Sequence, residues 1–469
     1  MSVPNNISRR KFLGQTACAG VGLTGLLSMM GTLRLFNASL SAQTVPGDDY
    51  RALICLFLFG GNDGNNMIIP RGTAGYNAYA EARGVLAIPQ SSLLPLTLPN
   101  GDGRDFGLHP GMTRLQSVFN AGKMAVLANV GTLVAPITKA EYRSGGAAIP
   151  PYLFSHNDQQ AQWQTSVPDS PKKIGWGGRL ADLTHSLNTG SQISMNISLA
   201  GNNFFQVGND VFQYQMTPSG SVGHNENSAT WAPRPQQFSA LNDTLGMNYS
   251  HLFESEYARI TQRAIANDNL MKATLAGVPE YTEKFPNAID ANGKTTSLGN
   301  QLRMILRLIA ARSSLGMKRQ VFFCSMGGFD THDNELVDHG RLMKTLSDAT
   351  ADFHQASVDI GVAENVTLFT ASDFNRTYST NGKGSDHAWG SHQLVVGGAV
   401  RGGRIYGTMP VLQASGPDDT GGRGSWIPTT SVDEFSATLA KWFGVSNSDM
   451  PLVLPNIRRF ARPDLGFMA

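Results

Sequence analysis

Acidic and histidine side chains crowd one short segment of this chain, "GGFDTHDN", which directly follows the apolar run 321–326. Asp330 and His332 stand two residues apart in it. Carboxylate oxygens and imidazole nitrogens are the groups with which proteins bind divalent ions such as Zn²⁺, Mn²⁺ and Mg²⁺. The segment is therefore a candidate for part of a metal site.

Further acids follow two other apolar runs, and a histidine-rich segment comes soon after the second of them. The residues concerned are Asp63 in "GGNDGNN", Asp373 in "ASDFNRT", and Asp386, His387 and His392 in "GSDHAWGSH". Because the carboxyl ends of parallel strands meet at one edge of a sheet, we expect these side chains to lie together. Unpaired carboxylates gathered there would repel one another, so a divalent cation is the expected counter-charge.

A candidate nucleophile lies in "YLFSHNDQQ", residues 152–160. Ser155 precedes a predicted helix, where backbone N–H groups can hold an anion and a metal ion can activate the hydroxyl. Alternatively, Ser155 or Asn157 only caps that helix. His156 is a candidate metal ligand or base, or else a hydrogen-bonded structural histidine. Arg376 is expected to clamp a tetrahedral anion through two of its N–H groups.

The elements that must position these residues are apolar strands alternating with helices. The run "RALICLFLFGG", residues 51–61, predicts a strand buried on both faces. Helical periodicity followed by an apolar run recurs in 111–131, 302–326 and 342–370. This alternation predicts an α/β fold, a mostly parallel sheet with helices on both faces. The segment "HQLVVGGAVRGGRIYG", residues 392–407, predicts a hairpin.

Two regions depart from this rhythm. Residues 186–300 are polar and rich in Asn, Gln and Ser, which predicts an insertion at the sheet edge and not a separate domain. Residues 1–42 place Arg9 and Arg10 ahead of a mild apolar stretch and a small-residue region. That order is typical of a twin-arginine export signal. We expect this signal to be removed, leaving residues 43–469 as one α/β domain in the periplasm.

Composition and sequence motifs argue against several classes of partner and of enzyme. The chain carries 37 basic and 35 acidic residues, a balance that gives no reason to expect a nucleic-acid partner. No apolar run beyond the signal reaches the roughly 20 residues of a membrane span, so no transmembrane anchor is expected after cleavage. The twin-arginine translocase is the expected partner during export. Dinucleotide-binding, Walker and G-x-S-x-G motifs do not occur in the sequence.

As a set, "FLFGGNDGNN", "FGLHPGM", "LFSHNDQQ", "GGFDTHDN" and "DHAWGSHQLVVGGAVRGGRIYG" resemble a bacterial family called domain of unknown function 1501. That family is exported by the twin-arginine route and grouped with alkaline phosphatases and sulfatases. The resemblance covers nearly the whole chain and implies an alkaline-phosphatase-like fold with two divalent metals at the strand ends. It implies Ser155 as nucleophile and the following metal ligands: Asp63, Asp330, His332, Asp373, and His387 or His392.

The chain also departs from that superfamily. The superfamily usually spaces its Asp/His pair more widely than Asp330 and His332, and it places a histidine where this chain has Phe374. The sulfatase motif Cys-x-Pro-x-Arg is absent from the sequence, so a formylglycine mechanism is not expected.

These features lead to a first functional prediction and two alternatives. The first is an exported hydrolase of phosphate or sulfate esters that depends on Zn, Mn, Mg or Ca and acts on a small anionic ester or a glycan. The second is a catalytically degenerate binding protein whose 186–300 insertion holds a glycan or an envelope protein. The third is an envelope component that uses the metal only for stability.

Overall fold

The computed structural model describes residues 49–99, 105–171, 173–223 and 235–469. The predicted signal peptide, residues 1–42, lies outside the described residues. In the described part of the chain, no helix is both long enough and apolar enough to cross a membrane.

Strands of the described chain form one large mixed sheet and one small antiparallel sheet. In chain order they are β1 (Arg51–Leu58), β2 (Ile68–Pro70), β3 (Leu94–Pro95), β4 (Phe106–Leu108), β5 (Met124–Gly131), β6 (Asn196–Ser198), β7 (Tyr214–Thr217), β8 (Gly220–Ser221), β9 (Arg319–Met326), β10 (Val366–Ser372), β11 (Ser391–Gly397), β12 (Arg404–Tyr406) and β13 (Thr430–Ser431). The large sheet has the order β12-β5-β11-β10-β1-β9-β6-β7-β8, and β13 also pairs with β5. The small sheet is β2-β4-β3.

Helices occupy most of the connections. They are α1 (Gly64–Met67), α2 (Thr73–Arg83), α3 (Thr113–Asn120), α4 (Lys139–Ser144), α5 (His156–Thr165), α6 (Trp176–Thr184), α7 (Pro235–Leu245), α8 (Leu252–Ala276), α9 (Ser297–Ala310), α10 (Glu335–Asp359), α11 (Val432–Phe443) and α12 (Met450–Val453). Short 3₁₀ turns add Gly84–Leu86, Gln90–Ser92, Pro110–Met112, His185–Leu187, Thr282–Lys284, Ala363–Asn365 and Ile457–Arg459.

The centre of the large sheet is parallel. Strand β1 pairs in parallel with both β10 and β9, and β9 pairs in parallel with β6. Strand β11 runs antiparallel between β10 and β5, so β5 points the same way as the central strands. The carboxyl ends of β1, β5, β6, β9 and β10 therefore share one edge with the beginning of β11.

Helices cover both faces of this sheet. Helix α9 packs on β9 and against α10, which packs against α3. On the opposite face lie α5, α6 and α11, where the ring of Phe369 in β10 is 5.5 Å from Trp176 and 5.7 Å from Phe435. After the half-buried Arg51, the side chains of β1 are apolar and buried on both faces, as a strand between two helical layers requires. The predicted α/β fold, a mostly parallel sheet between helices, is confirmed.

The predicted hairpin over 392–407 is wrong. Strand β5 lies between β11 and β12, and β12 pairs in parallel with β5. The connection passes close to the start of β5, where a Cβ on Gly402 would lie 2.5 Å from the carbonyl oxygen of Met124. Two adjacent apolar runs with glycines between them indicate two strands, but they do not show whether a third strand separates them.

The polar segment 186–300 extends the sheet at its β9 edge. Its strands β6 and β7 continue the sheet beyond β9. The side-chain amide of Gln206 donates to the carbonyl oxygens of Ile197 at 3.0 Å and Val321 at 2.9 Å. Part of the polar composition therefore serves to satisfy backbone carbonyl groups of β6 and β9.

Candidate metal centre

Four segments bring polar side chains to the shared edge of the sheet. Asp330 and His332 follow β9, and Asp373 and Arg376 follow β10. His156 is the first residue of α5. A last segment, just before β11, contributes Asp386 and His387. These residues come from three distant parts of the chain, around residues 156, 330 and 373–387, and meet because parallel strands end at the same edge.

The ligand atoms converge on the carboxylate of Asp330. Its Oδ1 lies 3.1 Å from Nε2 of His332, 3.4 Å from Nε2 of His387 and 3.6 Å from Nε2 of His156. The Nε2 atoms of His332 and His387 are 3.0 Å apart. Two nitrogen ligands about 2.0–2.1 Å from one ion are separated by about 2.9–3.4 Å, depending on the coordination angle. The observed spacing is that of ligands to a single ion.

Hydrogen bonds at the other ring nitrogens fix the tautomers. Nδ1 of His156 lies 2.7 Å from Oδ2 of Asp373, and Nδ1 of His387 lies 2.7 Å from the carbonyl oxygen of Phe154. Nδ1 of His332 lies 3.2 Å from Oδ1 of Asp386. Each of these oxygens is an acceptor, so each Nδ1 carries a proton and, in the neutral ring, each Nε2 has the lone pair. Nε2 of His332 lies 3.3 Å from Nη1 of Arg376, whereas those of His156 and His387 face Asp330.

This donor set fits a divalent cation. With the protons on Nδ1, the Nε2 lone pairs of His332 and His387 lie 3.0 Å apart, a contact that positive charge stabilises, and Nη1 of Arg376 lies 3.3 Å from that nitrogen of His332. His156, Asp330 and His387 present ligand atoms that all lie within 4.8 Å of one another. Imidazole nitrogens with one carboxylate oxygen suit Zn²⁺ or a similar borderline ion.

Protonation in this cluster also favours metal binding. Burial acts to raise the pKa of Asp330, but the hydrogen bond and the charge of Arg376 outweigh it, and the pKa lies below its usual value. Burial lowers the pKa of His387; the hydrogen bond to Phe154 opposes this shift and the charge of Arg376 adds to it. An ionised carboxylate and a neutral imidazole are the forms that bind a metal.

Arg376 orients Asp330 and has no N–H group left for a substrate anion. It is fully buried, and its guanidinium donates to the carbonyl oxygens of Gly60, Gly61 and Ser385. Its remaining contacts within the described residues go to Oδ1 of Asp330 and, at 3.3 Å, to Nε2 of His332. These five contacts use all five guanidinium N–H groups. The geometry therefore does not fit the clamp expected from the sequence.

Ser155 directly precedes His156, and its hydroxyl binds a carboxylate. It is the N-cap residue of α5, but its hydroxyl makes no capping bond and donates instead to Oδ2 of Asp158 at 2.6 Å. A hydroxyl bonded to a carboxylate is the arrangement of a nucleophile and its base. Sequence reasoning did not single out Asp158.

Two predicted ligands lie apart from this cluster. The carboxylate of Asp63 is completely buried and paired with Arg83. His392 is buried in β11, where its Nδ1 accepts a hydrogen bond from the backbone N–H of Asn129 at 3.1 Å, and burial lowers its pKa to about 4. Neither side chain belongs to the group of ligand atoms formed by His156, Asp330 and His387.

Asp373 and Asp386 contact the ring nitrogens of the histidines, not the centre of the cluster. Asp373 receives a second hydrogen bond from Nε2 of Gln160 at 2.9 Å. Burial raises the pKa of Asp373, and the hydrogen bonds from Gln160 and His156 act against it. Asp386 is also paired with Arg423. Gln160 stands four residues after His156 on the same helical face, a spacing that could have identified it from the sequence.

Phe374 packs against two of the imidazole rings. Its ring lies 4.8 Å from the ring of His156 and 4.4 Å from that of His387. It therefore forms an apolar wall that restricts both imidazoles to the orientation in which Nε2 faces Asp330.

A second buried polar group lies beneath this site. Arg83 contacts Asp63 and, at 3.2 Å, Oε1 of Glu335, and the hydroxyl of Ser385 donates to Oε2 of Glu335 at 2.5 Å. Burial acts to raise the pKa of Asp63, but the charge of Arg83 outweighs it and the pKa is lowered. Burial and then the charge of Asp63 raise the pKa of Glu335 to about 8. One arginine thus balances one carboxylate, and the other carboxyl group stays protonated.

We expect this arrangement to make stability depend on pH. A folded-state pKa of about 8 lies above the ordinary value of 4.5 for Glu335, so its contribution is complete below about pH 4.5 and is lost as pH rises through about 8. Urea unfolding from pH 5 to pH 9 should show a fall in the free energy of unfolding, and Glu335→Gln should flatten it. The exposed Glu364 provides a control, Glu364→Gln. An unchanged slope in Glu335→Gln would contradict the assignment.

Comparison with known proteins identifies a matching family but gives no established activity. A family model described as "Protein of unknown function (DUF1501)" matches residues 50–450. No protein of curated function matches the sequence.

Among solved structures, similarity is weak throughout. The chain is similar to Ps i-CgsB in complex with k-i-k-neocarrahexaose (TM-score 0.34, 9% identity, 88% of this chain and 77% of that chain). It is similar to the lipoteichoic acid synthase LtaP from Listeria monocytogenes (TM-score 0.35, 9% identity, 90% and 80%). It is also similar to the PsFucS1 sulfatase from Pseudoalteromonas sp. (TM-score 0.34, 10% identity, 90% and 72%). At these scores the likeness carries no weight, and the fold assignment rests on the topology of the sheet.

Proposed function

The chain belongs to the DUF1501 family of proteins of unknown function, and from that premise we propose that it is an exported, metal-dependent hydrolase of phosphate or sulfate esters. One observation carries the proposal. The Nε2 atoms of three histidines converge on Oδ1 of Asp330, and each Nδ1 is held by an acceptor. Such carboxylate–histidine pairs orient the ligands of metal sites.

The proposed division of labour follows from the contacts. His156, Asp330 and His387 would hold the ion. His332, whose Nε2 contacts Arg376, borders the group and contacts Asp330. Arg376 positions Asp330, while Asp373 and Asp386 fix the imidazole rings. A divalent ion bound there would polarise an ester oxygen and lower the pKa of a nearby hydroxyl or water. The side chain of Asp330 is 50% exposed, so an ester in solution can reach the cluster.

Ser155 is the proposed nucleophile and Asp158 its base. The carboxylate accepts the hydroxyl hydrogen bond at 2.6 Å and is placed to take the proton when the oxygen attacks. We expect Ser155→Ala to lower kcat by more than about 100-fold while metal content stays unchanged, since general-base assistance alone is typically worth about 10²–10⁴. Ser144→Ala, on an exposed serine at the end of α4, is the control. A Ser155→Ala enzyme with full kcat would instead assign the attack to water.

The test of the function uses the mature chain stripped with a chelator and reloaded separately with Zn²⁺, Mn²⁺, Mg²⁺ or Ca²⁺. 4-Nitrophenyl phosphate and 4-nitrophenyl sulfate are the substrates. We expect at least one ion to restore hydrolysis of one ester. Stoichiometric metal without hydrolysis of either ester would favour the binding-protein alternative. The lack of a free N–H group on Arg376 for a substrate anion also favours that alternative. Absence of stoichiometric metal would refute the proposal.

Export is a further part of the proposal and rests on Arg9, Arg10 and the following residues of the sequence. We expect cell fractionation to find the chain in the periplasm without residues 1–42. Replacing Arg9 and Arg10 together by Lys should leave the uncleaved chain in the cytoplasm. Periplasmic accumulation of that variant at the normal level would exclude the twin-arginine route.

A further inference from the structure

Helix α8 carries an exposed apolar stripe in its first half. Phe253, Tyr257, Ile260 and Ala264 follow one another at intervals of four, three and four residues, which places them on one face of the helix. Phe253 is 77% exposed, Tyr257 71% and Ile260 55%. Single exposed apolar side chains are ordinary, but several aligned on one face mark a surface that binds another protein.

The same face is covered in the second half of the helix. Met271 and Leu275 continue the stripe and are buried in the main hydrophobic core. The guanidinium of Arg307 in α9 donates to the carbonyl oxygen of Leu275 at 2.9 Å and fixes this end of α8 to the domain. One apolar face therefore runs along the whole helix, and the domain covers only its C-terminal part.

Charged residues beside the exposed half indicate what covers it. Glu254 and Glu256 lie toward the N-terminal end of the stripe, and Arg259 and Arg263 lie toward its C-terminal end. Glu256 and Arg263 are seven residues apart and so occupy the same flank. An antiparallel second copy of α8 would place Glu256 of each chain near Arg263 of the other. A two-fold axis repeats every such contact, so each Glu256, which pairs with Arg259 of its own helix, gains a second basic neighbour.

Side-chain size fits the same arrangement. With the axis midway between Tyr257 and Ile260, Tyr257 of one copy faces Ile260 of the other, and Phe253 faces the small Ala264. Large side chains opposite small ones allow close approach of two helices. We propose that the exposed half of α8 is a homodimer interface, formed by antiparallel packing of this stripe against the same stripe of a second copy. This inference is independent of the proposed hydrolase activity.

The first test is sedimentation equilibrium of the mature chain from about 1 to 100 μM, where specific dimers with micromolar or tighter constants are populated. We expect a dimer. The double variant Tyr257→Glu/Ile260→Glu should raise the dissociation constant by more than about 100-fold, because it places four unpaired carboxylates in the interface. Val85→Glu changes an exposed apolar residue outside α8 and should leave the constant unchanged. Circular dichroism verifies folding of each variant.

A charge exchange tests the antiparallel direction. Arg263→Glu should weaken the dimer by about tenfold, within the range measured for close charge pairs across interfaces. Adding Glu256→Arg to it should restore most of the affinity. A mature chain that sediments as a monomer over the whole range, or a Tyr257→Glu/Ile260→Glu variant that remains dimeric, would overturn the proposal. Failure of the charge exchange to restore affinity would overturn the antiparallel pairing.

Discussion

Asp330→Asn is expected to leave the mature chain folded but without stoichiometric metal and without ester hydrolysis. Oδ1 of Asp330 is the atom on which the Nε2 atoms of His156, His332 and His387 converge, and an amide removes its negative charge. Changes in the residues behind a metal ligand already cost about 10- to 100-fold in affinity. Loss of the ligand itself should cost at least about 100-fold, and kcat should fall with the metal content.

The matched control is Asp333→Asn. Asp333 lies three residues further along the same loop, is 69% exposed, and pairs only with the exposed Lys383 among the described residues. We expect this variant to keep its metal and its activity. Elemental analysis and titration of the stripped protein with Zn²⁺ measure the first effect, and turnover of the activating ester measures the second. Equal metal content in Asp330→Asn and Asp333→Asn would exclude Asp330 as a ligand.

Asp63→Asn is expected to be strongly destabilising. Arg83 and Asp63 are both fully buried, and Asp63 provides the negative charge that balances the guanidinium. Removing one partner of a buried ion pair leaves an uncompensated charge and costs about 3–5 kcal/mol. Since domains are stable by only about 5–15 kcal/mol, this loss is a large part of the total.

The matched control for this second prediction is Glu335→Gln. Its carboxyl group contacts the same arginine but is protonated at neutral pH, so an amide of nearly the same shape keeps the charge balance. We expect a change below about 1.5 kcal/mol, the range of a single neutral hydrogen bond. Urea unfolding at pH 5, where protonating Glu335 on folding costs little, measures both variants. If Glu335→Gln cost as much as Asp63→Asn, the negative charge would be shared between the two acids and this assignment would be wrong.

Much of the fold could be predicted from local patterns in the sequence. The apolar run 51–61 predicts a buried strand, and β1 is buried over almost its whole length. Helix–strand alternation predicts a mostly parallel sheet, and parallel strands place Asp330 and Asp373 at one edge. The resemblance to the 1501 family is confirmed over residues 50–450. These predictions succeed because periodicity and strand direction depend on residues close together in the chain.

Pairing between distant segments was decided only by the tertiary structure. The sequence places β11 and β12 side by side, but β5, nearly 280 residues earlier than β12, lies between them. Likewise, nothing near Asp63 in the sequence shows that Arg83 and Glu335 surround its carboxylate. The backbone carbonyl of Phe154 accepts the Nδ1 hydrogen of His387. Every residue has such a carbonyl group, so the residue type at position 154 does not predict this contact.

The sequence by itself therefore determined the α/β class, the edge of the sheet where polar residues gather, and the residue types available there for chemistry. The tertiary structure decided that Asp330 meets three histidines while Asp63 is balanced by an arginine. It also decided that the N–H groups of Arg376 bind three backbone carbonyl oxygens, Asp330 and His332. The physical reason is that the charge state of a side chain, and the hydrogen-bond donors it has left, depend on partners brought together by folding. A local sequence pattern specifies only the helix, strand or loop that carries the side chain.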